Sequence, residues 1–583
     1  MTVRALAGLV VLNVIFLVCG AAVLWLVRGW RTWVEFLRLA GLAYLAGVAA
    51  ACGAWTLLLV VGIPFSSLLV LLTLVAFVLA GVLGGRSLER RRPPLGSLAY
   101  MPDVVVGALG IAAAGLLLEV FFRASRLAGL YNWDAWSFWV PKAKAIYFFG
   151  GLDEQFFTTL PGAAYPPLLP TLDAATFHAM GSPDVVTLHV QFWFLGLGFV
   201  WALAGLLSER VPAWMLWPFV LVLLVAPRIG RRFAVPEADL LLDFFFVAAA
   251  LLIAFWLLDR KRWRLVLATV FLCGMVLTKR EGVLLAAILV AATLLASVRT
   301  WRATWPSVGL AGAAVIAVGV PWRIWYIAHG VAGEGSAGTG VDLTVNVGRA
   351  WASLRLAVDV LFSSQYWSVI VAVAIGALVI AALAREALLV VFFGSLVVLV
   401  TLGGAWVTWA IPKLPITQDL GGNPIVRYMG SAALLAVAAS PILLSAAWPG
   451  TTGPRMREGA STRGRRAIAA AAAVVLVPLL AYPMVMLAKG RPRFPSSAEC
   501  ARHAVEGQPA DVVFGRLDDP ESAAGLRDRV VAFGFKGTET LADGCGRWKV
   551  VLSTVPSVEV GREIQSEAGT VGLHPTLELA ATG

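Results

Sequence analysis

Long apolar stretches alternate with short polar segments along most of this 583-residue chain. Stretches of roughly 17 to 25 apolar residues cross the hydrocarbon core of a bilayer when they fold as α-helices. The pattern therefore predicts a polytopic α-helical membrane protein with about 14 helices. The predicted helices span 5–27, 39–61, 66–84, 103–122, 187–207, 213–227, 239–258, 265–278, 282–298, 307–327, 366–384, 387–408, 427–447 and 467–488.

The composition excludes a soluble protein of this size, because 60% of the residues are hydrophobic and only 14% are charged. Much of the net charge of +12 comes from basic clusters at 86–92, 260–264 and 463–466. Such clusters between apolar stretches are typical of cytoplasmic loops, so we expect no nucleic-acid partner. This orientation places the N-terminus, residues 123–186 and the C-terminal tail on the outer side of a bacterial inner membrane.

Beyond residue 490 the composition changes to that of an ordinary soluble protein. The pattern predicts a β-α-β-β-α-β order, which is typical of a ferredoxin-like sheet with two helices on one face. Cys500 and Cys545 lie in this tail, and we expect them to form a disulfide if the tail is extracytoplasmic. Three regions result: extra N-terminal transmembrane helices (1–102), the main membrane domain (103–490) and a soluble extracytoplasmic domain (491–583).

The predicted tail has a glycine after each helix, at Gly534 and Gly572. With its order of elements, this resembles the small peptidoglycan-binding repeats of the SPOR type. The resemblance implies binding to cell-wall glycan. A lid or docking module on the membrane domain is the competing interpretation.

Aromatic and charged residues are concentrated in the outer segment 123–186. Trp133, Asp134 and Trp136 lie near its start, and Lys142 follows. Aromatic faces stack on sugar rings, and cations hold phosphate. This part of the segment is therefore predicted to bind a sugar or a lipid headgroup.

The same segment contains Tyr165, Pro166, Pro167 and Leu168 in succession. Two adjacent prolines stiffen the backbone, which helps to fix a site.

A second group of charges precedes the predicted helix 239–258. Glu237 and Asp239 lie at its outer end, and Arg228, Arg231 and Arg232 come just before it. Arginines on the outer side oppose the positive-inside tendency, and a phosphate-bearing ligand would explain them because guanidinium groups match phosphate oxygens. Acids at a helix N-terminus are also favoured by the helix dipole, so a capping role remains open.

The charged sequence Thr278–Gly282 interrupts an apolar stretch that runs from 265 to 297. Charges facing lipid at the bilayer centre are costly, so these must lie at a surface or in a polar cavity. A short hairpin would place Lys279 near the outer face. An internal pair of Lys279 with Glu281 is the alternative.

Together, Asp134, the Pro166–Leu168 motif, Asp239 and Lys279 resemble the GT-C glycosyltransferases over residues 103–330. The nearest families are the protein O-mannosyltransferases and the bacterial aminoarabinose transferases that modify lipid A. The resemblance implies a polyprenyl-phosphate sugar donor and an extracytoplasmic active site. It matches Asp134 to the first catalytic acid, Asp239 to the second acid and Lys279 to the hairpin cation.

Two positions depart from the family pattern. Ala135 stands where a further acid is often found, and Tyr165 replaces a His or Lys before the prolines. A divalent cation is therefore left open and is not assigned. His178 and His189 lack a third ligand nearby and predict no metal site.

For sugar transfer, we expect Asp134 to act as the base, Asp239 to position the acceptor or support the base, and cations to stabilise the leaving phosphate. The predicted substrate contacts are Lys279, Arg231, Arg232, Arg228, Lys142, Glu237, Tyr165, Trp133 and Trp136. Further donor contacts are expected from Lys413, Gln418, Asp419, Asn423 and Arg427.

The predicted function is transfer of a sugar to an envelope glycolipid, polysaccharide or protein. A lipid or glycan transporter or flippase is the alternative, because charges within spans also mark substrate pathways. A cell-envelope scaffold is a third interpretation, which leaves Asp134, Asp239 and Lys279 without a role. The glycine-rich segment 333–340 is predicted to be a flexible outer loop.

Overall fold

The computed structural model describes residues 2–90, 92–96, 101–126, 129–130, 132–226, 232–233, 235–330, 347–367, 369–410, 424–447, 503–543 and 547–580. The chain divides into two compact units. The larger comprises Met1–Arg126 and Leu130–Lys489, and the smaller comprises mainly Gly490–Gly583.

Helices form the described part of the larger unit. In chain order they are α1 (Val3–Val27), α2 (Trp33–Val60), α3 (Ser67–Ser87), α4 (Met101–Ser125), α5 (Val140–Phe149), α6 (Glu154–Thr159), α7 (Leu168–Met180), α8 (Val185–Leu207), α9 (Ala213–Val225), α10 (Ala238–Asp259), α11 (Arg262–Thr278), α12 (Arg280–Ala296), α13 (Trp301–Ala328), α14 (Val347–Leu361), α15 (Ser364–Trp367), α16 (Ile370–Leu383), α17 (Ala387–Ala410) and α18 (Pro424–Ala447).

Nine of the described helices are long and apolar enough to cross a membrane: α1, α2, α3, α4, α8, α10, α13, α17 and α18. The chain is thus a polytopic helical membrane protein, as its apolar pattern predicts. Four other predicted spans correspond to the shorter helices α9, α11, α12 and α16. The fourteenth, 467–488, lies outside the described residues, so the number of spans stays a prediction.

The first two helices pack with their backbones in close contact. A Cβ on Gly20 would lie 1.6 Å from the carbonyl oxygen of Ala43, and one on Gly47 would lie 1.8 Å from that of Phe16. No side chain fits into such a contact, and small residues are the ones that allow helices in membranes to approach so closely. The glycines therefore fix α1 against α2.

A buried polar network joins these two helices to α8. The Asn13 side-chain amide donates to Gln191 Oε1 at 2.8 Å, and the Gln191 amide donates back to Asn13 Oδ1 at 3.1 Å. The Tyr44 hydroxyl donates to the same Asn13 oxygen at 2.6 Å. Because all three side chains are buried, each depends on the others for its hydrogen bonds.

The described residues between 123 and 186 contain more helix than the outer loop that the sequence predicts. A π-helical turn at Ala135–Trp139 is followed by α5, α6 and α7. Gly150 and Gly181 end α5 and α7 with φ values of 71° and 72°, a left-handed conformation that glycine adopts readily. Pro167 immediately precedes α7. These helices form a compact layer that contains the Pro-Pro-Leu motif.

The described part of the smaller unit contains β1 (Ala510–Leu517), α19 (Pro520–Ala532), β2 (Glu539–Ala542), β3 (Trp548–Val555), α20 (Val558–Thr570) and β4 (Thr576–Leu579). This confirms the predicted order of strands and helices. The sheet is antiparallel with strand order β2-β3-β1-β4. Gly534 and Gly572 follow the two helices with positive φ, as helix-ending glycines do.

The core of the smaller unit includes Val512, Phe514 and Val550 from the sheet and Ala523 and Val530 from α19. Alternate residues of β1 point away from this core, as strand geometry requires. Asp511 on β1 pairs with Lys549 on β3 at 2.9 Å. The predicted disulfide partners, Cys500 and Cys545, lie outside the described residues.

Candidate active site

Asp239 is the centre of a buried charged cluster. It lies in the first turn of α10 and is only 6% exposed. Lys279 Nζ is 2.5 Å from Asp239 Oδ1, and Arg232 Nη2 is 2.6 Å from Oδ2. Arg427 Nε, from the first turn of α18, lies 3.5 Å from Oδ2. A single carboxylate is therefore surrounded by three cations from separate parts of the chain.

Asp134 joins this cluster through Arg427. The guanidinium group donates from Nη1 to Asp134 Oδ2 and thus bridges Asp134 and Asp239. Asp134 is 7% exposed and directly precedes the π-helical turn, while its backbone N–H donates to Asn132 Oδ1 at 3.1 Å. Such turns often occur at functional sites because the extra residue redirects neighbouring side chains.

The break between α11 and α12 positions Lys279. This residue is extended, with φ −157° and ψ 156°, so two helices meet there at a tight hairpin. A Cβ on Gly282 would lie 2.0 Å from the carbonyl oxygen of Met275, so glycine is required for the close approach. Lys279 Nζ also lies 3.4 Å from Glu281 Oε1. Glu281, the partner that the sequence suggests for Lys279, contacts it here, and so does the distant Asp239.

Glu237 and Arg232 form the next part of the cluster. Arg232 Nη2 donates to Glu237 Oε2 as well as to Asp239. Glu237 is at the N-cap position of α10 but makes no side-chain capping bond. Its other oxygen, Oε1, is buried and has no hydrogen-bond partner among the described residues. Glu237 thus makes no capping hydrogen bond, although its place at the helix N-terminus lets the helix dipole stabilise its charge.

Tyr165 lies against the cationic side of the cluster. Its ring stacks on Trp139 with a centroid distance of 5.3 Å, and Lys279 Nζ lies 5.5 Å from the Tyr165 ring centroid. Burial raises the pKa of the Tyr165 hydroxyl to about 12, and the Glu281 carboxylate acts in the same direction. The phenol is therefore neutral at physiological pH.

Lys142 is placed differently from the other predicted cations. Its ammonium group is buried, donates to the carbonyl oxygen of Gly162 at 2.8 Å and lies near the rings of Phe138 and Phe157. These contacts hold the turn that precedes Tyr165.

Trp133 and Trp136 flank Asp134 at the surface. Their side chains are 54% and 51% exposed, and their ring centroids are 6.4 Å apart. They lie on either side of Asp134 in the sequence but do not contribute to the buried cluster.

A second polar contact between α10 and α18 lies one turn further along both helices. Ser431 donates to Asp243, where Asp243 follows Asp239 by four residues and Ser431 follows Arg427 by four. The sequence analysis identifies no role for Ser431, because a serine within an apolar helix gives no distinctive signal. The only signal in the sequence is that Asp243 and Ser431 each follow a cluster residue by four positions. This spacing is informative only once α10 and α18 are known to be neighbours.

An apolar cleft lies between α14, α16, α17 and α18. Its α18 side is formed by Ala432, Leu435, Ala436, Ala439 and Leu443. Its cavity volume is about 30 Å³, which is room for only one or two water molecules, so it is a small gap in the packing of these helices.

Several predicted site residues lie outside the described part of the chain: Arg228, Arg231, Lys413, Gln418, Asp419, Asn423 and the glycine-rich segment 333–340. Within the described part, no group of three or more His, Cys, Asp or Glu residues is arranged to hold a metal. His178 packs against the rings of Phe65 and Tyr147, and His189 Nδ1 lies 2.7 Å from the carbonyl oxygen of Val185.

Comparisons with protein-family models, curated proteins and solved structures find no match to this chain.

Proposed function

We propose that the protein is a membrane glycosyltransferase of the GT-C type, which moves a sugar from a polyprenyl-phosphate donor to an envelope acceptor. The observation that carries this proposal is the convergence of Asp134, Asp239, Lys279 and Arg232 in one cluster. The motif resemblance selects the first three of these residues from distant parts of the sequence. A structural ion pair would not require so many charges inside an apolar protein.

In this reaction the donor phosphate would lie against Arg427, Arg232 and Lys279. The bond between the anomeric carbon and the phosphate oxygen breaks, and polyprenyl phosphate leaves with the electron pair. A new bond forms between the anomeric carbon and an acceptor hydroxyl, whose proton passes to Asp134. The cations supply the electrostatic stabilisation of the leaving phosphate, and Asp134 supplies general-base catalysis.

The pairing of Asp134 with Arg427 fits this sequence of events. While Arg427 donates to Asp134 Oδ2, that oxygen faces the guanidinium and not an acceptor hydroxyl. A phosphate that competes for Arg427 would release Asp134 only when the donor is bound. The base would then be active at the moment when it is needed.

An aromatic surface beside Asp134 suits a lipid-linked donor. The exposed rings of Trp133 and Trp136 would contact either the sugar or the membrane interface.

The proposal includes a location and an architecture. The whole chain has about 14 spans in a bacterial inner membrane, its membrane domain (103–490) is GT-C-like, and the site faces the extracytoplasmic side. The tail is a ferredoxin-like extracytoplasmic domain that serves as a lid, a docking module or a glycan-binding module. The acceptor is an envelope glycolipid, polysaccharide or protein.

The test is a transfer and hydrolysis assay with purified full-length protein in lipid nanodiscs and a panel of labelled polyprenyl-phosphate sugars. We expect Asp134→Asn to lower sugar release from the active donor by about 100-fold or more while donor binding survives. Glu154→Gln, which changes an exposed acid on α6, is the matched control and should release sugar at the wild-type rate.

Equal release by wild type and Asp134→Asn would remove Asp134 from the role of base. Release from no donor, together with translocation of a fluorescent lipid by the wild type, would replace the transferase proposal with a transporter.

A further inference from the structure

Two carboxylate oxygens beside Asp239 lack hydrogen-bond partners among the described residues. They are Glu237 Oε1 and Glu281 Oε2, and both atoms are buried. An ionised carboxylate oxygen only accepts hydrogen bonds, and leaving one buried without a donor destabilises the fold. These two acids therefore need an explanation beyond their visible ion pairs.

The two oxygens are arranged around the phosphate-binding cations. Lys279 links Glu281 to one oxygen of Asp239, and Arg232 links Glu237 to the other. Glu237 is only 2% exposed, and its second oxygen is held by Arg232, which fixes the side chain in the cluster.

Helix capping does not explain either acid. The side chain of Glu237 makes no capping bond to α10, and the structure records no hydrogen bond from the first turn of α12 to Glu281. Attraction to the helix dipoles stabilises the charge of each acid but supplies no hydrogen bond to these two oxygens. Here the free oxygen of each acid is withdrawn from solvent.

We propose that Glu237 and Glu281 are specificity-determining residues that accept hydrogen bonds from the transferred sugar. This inference rests on the proposed function. A phosphate diester has no proton to donate, whereas sugar hydroxyl or ammonium groups donate to carboxylates. The cations bind the phosphate of the donor, and the two glutamates bind its sugar.

The test compares two ligands that differ only in the sugar. Binding of undecaprenyl phosphate and of undecaprenyl phosphomannose is measured on purified full-length protein in nanodiscs. We expect Glu281→Gln and Glu237→Gln each to weaken binding of the sugar-bearing lipid about tenfold or more, because a charged acceptor is lost. Binding of undecaprenyl phosphate should change less than about twofold. Glu154→Gln, on the exposed face of α6, should change neither affinity.

A second pair of donors distinguishes hydroxyl from ammonium recognition. If a charged amino group is the natural partner, an undecaprenyl-phosphate amino sugar should lose more affinity than the mannose lipid in both variants. If hydroxyl groups are the partners, the two lipids should lose affinity equally. Either result supports acceptance of hydrogen bonds from the sugar.

Equal weakening of both undecaprenyl phosphate and its mannose derivative would overturn the inference, because it would show that the glutamates only hold Arg232 and Lys279 in place. Unchanged binding of both ligands would overturn it as well. Failure of the wild type to bind any polyprenyl phosphate would overturn the proposed function, and this inference with it.

Discussion

At the scale of single residues, the charged cluster is a network and not a set of pairs. Each cation that contacts Asp239 also contacts a second acid: Glu281 for Lys279, Glu237 for Arg232 and Asp134 for Arg427. In the interior of a membrane protein, electrostatic interactions are strong and unpaired charges are costly. The contribution of any one residue therefore depends on which of the others is present.

This dependence predicts a coupling energy between Asp239 and Lys279. Asp239→Asn and Lys279→Met should each lower the free energy of unfolding, because each leaves buried charges with fewer partners. The double variant should be less destabilised than the sum of the two single variants, by about 1 kcal/mol or more. Reversible unfolding of the purified protein in detergent measures all four forms of the cycle.

Lys261 provides the control for this cycle. It pairs with Asp259 at the other end of α10, about 30 Å along the helix from Asp239. Asp239→Asn combined with Lys261→Met should be additive within about 0.5 kcal/mol. Additivity in both cycles would contradict the network.

The residues of the cluster differ in how far the sequence reveals them. Asp239 and Lys279 are detectable because a charge next to an apolar stretch is costly and needs a reason. Arg427 is one of several polar residues in its segment, and only the folded structure shows that it bridges two acids. Lys142 has the right charge, but its contacts to Gly162 and the surrounding rings depend on tertiary packing that no local pattern encodes.

At the scale of elements, the hairpin between α11 and α12 sets the position of Lys279. Gly282→Ala would place a Cβ against the backbone of Met275, and the two helices would have to move apart to relieve this clash. We expect the variant to lose about 2 kcal/mol of stability or more and to bind undecaprenyl phosphate more weakly. The unfolding temperature and a lipid-binding assay check the two effects.

Gly309 on α13 is the matched position for this experiment. A Cβ there meets no atom within 4 Å, so Gly309→Ala should leave stability unchanged or raise it slightly. If Gly282→Ala behaved like Gly309→Ala, the tight hairpin would not be what holds Lys279.

The bounds of the long helices could be predicted from the sequence to within six residues, since apolar runs of that length have few other conformations in a membrane protein. The helices α5 to α7 could not, because they are short and their apolar residues pack against other elements instead of forming a continuous run. Their ends do carry local signals, in Gly150, Pro167 and Gly181, that indicate helix boundaries. In the smaller unit, turn glycines and alternating strands made the order of elements predictable.

At the scale of the whole molecule, the network of Asn13, Tyr44 and Gln191 joins the first two helices to α8. Asn13→Leu should lower the free energy of unfolding by about 1–2 kcal/mol, because the buried Tyr44 and Gln191 groups lose their partners. Thermal unfolding in detergent measures the change. We expect little change in donor binding, since none of the three residues touches the charged cluster.

Val14 on the same helix is 50% exposed and provides the comparison. Val14→Leu should change the free energy of unfolding by less than about 0.5 kcal/mol. A loss of similar size in both variants would mean that Asn13 acts through general packing of α1 and not through its hydrogen bonds.

The bridge formed by Arg427 has a consequence for the order of events during synthesis. Lys279, the partner of Asp239, is synthesised only 40 residues after it, whereas Arg427, the partner of Asp134, is synthesised 293 residues after it. While the ribosome makes α8 to α17, the growing chain carries an acid at Asp134 that lacks its eventual guanidinium partner. The final described helix of the membrane unit therefore completes the charge balance of a site that its earlier helices have already begun to build.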